Sequence, residues 1–121
     1  MKILWIHNYS INDKISGVFM KILLDRLILD GLKIELYKIN SGNIFSIYKL
    51  QEYFNLKKIS YKYDILHVQY GSYIGFLTSF INHPNKILTL RGSDLLLPKP
   101  NFTLKYLKQF FSVLLTLLSF N

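Results

Sequence analysis

Lys86-Ile-Leu-Thr-Leu-Arg-Gly-Ser-Asp-Leu95 decides how this chain is read. It reads as a buried β-strand that stops abruptly at a glycine turn. An arginine, a serine and an aspartate are set where the strand ends. In an open parallel α/β sheet that position is the mouth of the binding crevice. The arrangement occurs twice more. Lys2-Ile-Leu-Trp-Ile-His7 runs into Asn8-Tyr9-Ser10 and a Ser16-Gly17 turn. Asp64-Ile-Leu-His-Val-Gln-Tyr70 runs into Gly71-Ser72. Three apolar strands thus deliver polar residues or glycine at their carboxyl ends, which argues for a ligand site as well as a fold.

The rest of the chain fills in around these strands. Val18 to Leu29 reads as a helix, with Lys21 and Asp25 four residues apart on its polar face and Gly31 as its stop. Lys33 to Lys38 alternates polar and apolar residues, the mark of a half-exposed strand. Ile44 to Lys58 reads as a second helix and Ile74 to Ile81 as a short third one. Asn82-His-Pro-Asn85 is a turn, because proline holds His83 extended. Asn101 is the expected cap of a last helix from Phe102 to Ser119. There Lys105, Lys108, Ser112, Thr116 and Ser119 make one narrow polar stripe on an apolar cylinder, so the helix is expected to be mostly buried. Strand and helix alternate throughout. The expected fold class is therefore α/β, a Rossmann-like parallel sheet of about four strands with flanking helices.

The 121 residues allow one domain. Half of them are apolar, enough for a packed core. Fifteen Lys and Arg against seven Asp and Glu give a net charge of +8, which favours anionic partners. A chain without alanine and rich in Ile, Lys, Asn, Phe and Tyr also follows from low-GC coding, so part of the lysine excess is a solvated surface. With no cysteine, disulfides, thiolate metal sites and thiol nucleophiles are excluded. Ile3 to Ile6 is too short for a signal-peptide core. Phe110 to Phe120 falls short of the roughly 20 apolar residues of a spanning helix. A cytoplasmic location follows as an expectation. Peripheral contact with the inner, anionic membrane face stays open through the basic residues and the last helix. Nucleic acid is not an expected partner. Basic and aromatic residues interleave from Tyr48 to Tyr63, but no recognised nucleic-acid-binding pattern accompanies them.

Taken in order, Met1-Lys-Ile-Leu-Trp-Ile-His7, Ser16-Gly17, Tyr63-Asp-Ile-Leu-His-Val-Gln69 and Leu88-Thr-Leu-Arg-Gly-Ser-Asp94 resemble the N-terminal domain of GT-B-fold glycosyltransferases, family 4 and its relatives. The resemblance covers nearly the whole chain. It implies one incomplete acceptor-side domain over residues 1–121, without the C-terminal donor-binding domain. The full enzyme would transfer a sugar from a nucleotide-sugar donor to a glycan or lipid-linked acceptor. No cofactor is expected in this chain. Members of that family usually carry Gly-Gly where Ser16-Gly17 stands, and often His or Arg at the place of Arg91.

The candidate substrate-binding set is Ser16, Gly17, His67, Gln69, Tyr70, Arg91, Gly92, Ser93 and Asp94, with no catalytic residue assigned. Ser16-Gly17 precedes a helix whose free N–H groups suit an anion; a plain helix cap is the competing reading. Arg91 can fork onto a phosphate or carboxylate and Asp94 can accept from sugar hydroxyls, or the two pair with each other. His7 and His67 approach one crevice if their strands are neighbours, although a mid-strand His67 reads first as a core histidine. His83 belongs to a turn at the opposite strand ends and is structural. No His, Asp or Glu set has metal-ligand spacing, and no G-x-G-x-x-G or G-x-S-x-G element is present.

Overall fold

The structure is a computed structural model that describes residues 1–9, 17–40, 47–90, 95–96 and 103–120. It is α/β. The strands are β1 (Lys2–His7), β2 (Lys33–Lys38), β3 (Ile65–Gln69) and β4 (Lys86–Thr89). The helices are α1 (Val18–Leu29), α2 (Ile47–Ser60), α3 (Ser72–Ser79) and α4 (Leu104–Leu118). The strands form one parallel sheet in the order β2-β1-β3-β4. This is the Rossmann-like arrangement expected from the alternation of elements.

Side chains alternate across a strand, so each strand serves two layers. Leu4 and Ile6 of β1 join Leu66 and Val68 of β3 in the main core, against Leu56 of α2 and Ile74 of α3. Right-handed crossovers put α2 and α3 on that face and α1 on the other. Trp5, His7, His67 and Gln69 occupy the alternate positions and face the α1 side. All four are buried. Each apolar residue enclosed in this way contributes about 1.5–3 kcal/mol relative to exposure.

One of the two outer strands is less enclosed than its sequence suggests. β2 is an edge strand and is largely exposed, with only Ile34 and Tyr37 partly covered. β4 was expected to be buried, yet it forms the other edge of the described sheet, and Ile87 is 48 % exposed. Among the described residues its apolar run has a partner strand on one side only.

The last helix departs further from expectation. The Thr103 side chain, not Asn101, caps it by accepting the Tyr106 N–H at 3.3 Å. Asn101 lies outside the described residues. Only the carboxyl-terminal part of the polar stripe turns inward: Thr116 is fully buried and Ser119 packs at Gly75 of α3, while Lys108 stays exposed. Leu104 and Phe111 are 70 % and 57 % exposed. Close packing of α4 on the glycines of α3 decides this orientation, because Thr and Ser fit beside Gly71 and Gly75 where leucine does not. None of the helices among the described residues is long and apolar enough to cross a membrane.

Candidate functional site at the carboxyl ends of β1 and β3

The strand order reverses between β1 and β3. From β1 the chain moves outward to β2, and from β3 it moves outward to β4. In open α/β sheets the crevice beyond such a switch point is where ligands bind. His7 closes β1 and Gln69 closes β3. Trp5 pairs with His67 and Ile6 with Val68, so His7 and Gln69 are the next neighbours along the same two strands.

The Tyr9 backbone N–H donates to His7 Nδ1 at 3.2 Å. With Nδ1 accepting, the neutral ring carries its proton on Nε2, an assignment made from this hydrogen bond. Burial, and then the charge of Lys38, lower the His7 pKa from the ordinary 6.5. The ring is therefore a neutral Nε2–H donor near pH 7. That atom is buried and has no partner among the described residues. The same holds for Gln69 Oε1, an acceptor, and for Trp5 Nε1, a donor.

Two tyrosines wall the crevice. The Tyr9 ring stacks at 6.4 Å from His7 and meets Tyr70 edge-on at 6.1 Å. Both tyrosines are half-buried. Tyr70 adopts a φ of 96°, an unusual conformation outside glycine. Its N–H donates to the Thr89 carbonyl at 3.0 Å, which ties the end of β3 to β4. Gly17 caps α1 with a φ of 74° and no side-chain cap. A Cβ there would stand 2.9 Å from the Tyr9 ring, so this glycine makes room for the crevice wall.

The opposite end of the sheet, at the amino ends of β1, β3 and β4, is hydrogen-bonded within itself. His83 Nε2 lies 3.1 Å from the Tyr63 carbonyl, and its Nδ1 accepts the Asn85 N–H at 3.2 Å. Asp64 Oδ2 accepts the Lys2 N–H at 2.7 Å, and Asn85 Nδ2 donates to the Asp64 carbonyl at 3.0 Å. These polar groups at the amino ends of the strands satisfy one another, whereas His7 Nε2 and Gln69 Oε1 at the carboxyl ends of β1 and β3, and Trp5 Nε1 one alternation deeper, have no partner among the described residues.

The candidate residues separate accordingly. Gly17, Gln69 and Tyr70 lie around the crevice. His67 sits one alternation deeper, with Nε2 2.7 Å from Thr89 Oγ1 and its ring 4.3 Å from Trp5. Burial lowers its pKa. It is a partnered histidine of the sheet. Ser16, Arg91, Gly92, Ser93 and Asp94 lie outside the described residues. Trp5 and His7 complete the crevice, although neither was in the candidate set. The signal for both was present: they alternate with Leu4 and Ile6, so they share the face that His67 and Gln69 use on the neighbouring strand. Among the described residues no group of three or more His, Asp or Glu side chains can hold a metal ion. No family model, curated protein or solved structure matches this chain.

Proposed function

We propose that this chain is the acceptor-side half of a GT-B-type glycosyltransferase. Together with a donor-binding half it would transfer a sugar from a nucleotide sugar to a glycan or lipid-linked acceptor. The observation that carries this reading is the set of buried, unpartnered hydrogen-bonding groups at the β1/β3 switch point. A sugar is dense in hydroxyls, each able to donate and accept, and suits a crevice holding both kinds of group. The half-buried tyrosines beside them supply apolar ring faces.

Saturation-transfer NMR on the chain with glycosides and with UDP-glucose tests the reading. Acceptor-side recognition gives transfer to glycosides and none to UDP-glucose. Transfer to UDP-glucose alone would sink it. The chain by itself is expected to turn over no nucleotide sugar, because transfer needs donor and acceptor held together in one geometry.

A second reading, an anion-binding module without catalysis, draws on Gly17. The first turn of α1 has no side-chain cap, and the chain carries a net charge of +8. Phosphate-dependent shifts of the amides at residues 17–20, with no response to glycosides, would favour it.

A further inference from the structure

We infer that His7 and Gln69 act as a matched donor and acceptor that read adjacent hydroxyls of an uncharged sugar ring. The inference rests on the acceptor-side reading but concerns the chemistry of the ligand and the two atoms that recognise it.

The backbone places the two groups together. Both close strands that pair in parallel, and both project to the face shared by Trp5 and His67. Adjacent strands stand about 4.8 Å apart, so two such side chains span a pair of neighbouring hydroxyls. His7 is 0 % and Gln69 2 % exposed, so bulk water does not reach either group. An unmade hydrogen bond at each costs about 1–3 kcal/mol. That cost is removed by a ligand that both accepts from Nε2–H and donates to Oε1.

The pairing also sets what is rejected. A fully ionised phosphate or a carboxylate accepts only, and would face the Gln69 oxygen with no proton to give. An apolar ring leaves both groups unmade, which is the stronger form of discrimination. The Tyr9 N–H holds Nδ1 as an acceptor, so the ring cannot present a lone pair at Nε2 without losing that bond. Tyr9, stacked on His7, and Tyr70, in edge-on contact with Tyr9, lie beside the pair.

The test uses long-range proton–nitrogen spectra of the His7 ring and the Gln69 side-chain amide in the full chain. The methyl α-glycosides of glucose, galactose and mannose are the probes; tetrahydropyran and acetate, which accept hydrogen bonds without donating any, are the controls. The free chain is expected to show the neutral Nε2–H tautomer. At least one glycoside should shift both resonances, and neither control should. His7→Phe and Gln69→Met should each weaken that glycoside about tenfold, with folding checked by circular dichroism. Should either variant fail to fold, the wild-type spectra decide alone. A Nδ1–H tautomer in the free chain would overturn the inference. So would an acetate-induced imidazolium, or silence of both resonances to all three glycosides. Glycosides that saturate elsewhere while His7 and Gln69 stay silent defeat this inference and spare the proposed function. Shifts at both residues, accompanied by equal binding of UDP-glucose, do the reverse.

Discussion

Burial lowers the pKa of both His7 and His67 from 6.5, so the folded chain takes up protons there less readily than the unfolded chain. Where the unfolded state binds more protons, stability rises with pH. The contribution of these rings is therefore complete above about pH 6.5 and is lost as pH falls towards their lowered folded values. The urea midpoint should fall between about pH 7.5 and about pH 5.5, a range in which model carboxylates stay largely ionised. In a His7→Phe/His67→Phe double variant the slope over that range should flatten. An unchanged slope would mean that neither ring is held neutral by the fold. The two histidines differ in consequence all the same: His67 has Thr89 as a partner, whereas His7 keeps an open donor. β4 sets Thr89 beside His67, whereas no described residue partners the His7 Nε2.

At the scale of elements, α3 and α4 meet through glycine. A Cβ at Gly71 would stand 2.5 Å from Thr116 Oγ1 and 2.6 Å from its Cγ2. The same hydroxyl accepts the Ser72 N–H at 2.5 Å and donates to the Ser112 carbonyl at 3.0 Å. Gly71→Ala should push α4 outward and cost about 1–3 kcal/mol, the range for overpacking. Thr116→Ala removes the obstructing atoms, so the double variant should be less damaged than the two single costs added together. Denaturant unfolding of the cycle measures this coupling, expected at about 0.5–3 kcal/mol. Strict additivity would show that the helices do not meet at this point. The contact also marks the limit of what the sequence made legible. β1, α1 and β2 have the expected boundaries because alternation, an apolar run and Gly31 are local signals. α3 begins two residues before the expected Ile74, since Gly71-Ser72 was read as loop when Ser72 already starts the helix. The inward turn of Thr116 was hidden for a different reason. A polar stripe on an apolar helix points outward by composition, and only the glycines of another element reverse it. For the crevice, strand-end position alone placed Gln69 and Tyr70 in the candidate set, while the open donor on His7 depends on the backbone bond from Tyr9, which periodicity does not encode.

For the molecule as a whole, the outward face of α4 sets the solution behaviour. Leu104, Leu107, Phe111, Leu114 and Leu118 are exposed on it, and Phe19 of α1 is 74 % exposed. Apolar surfaces of this kind drive association when they are contiguous. Net charge opposes it: copies carrying +8 repel one another, and salt screens that repulsion within about 8 Å at physiological ionic strength. The two effects predict a particular salt dependence. In sedimentation velocity the chain should be smallest in dilute buffer, and its weight-average mass should grow as sodium chloride is raised. Leu104→Ser/Phe111→Ser should suppress that growth while leaving the far-ultraviolet circular dichroism unchanged, because both side chains point away from α3. Association driven by ion pairs would give the opposite trend, with mass falling as salt rises. A chain that stays monomeric at every salt concentration would show that the exposed side chains of α4 do not act as one apolar surface.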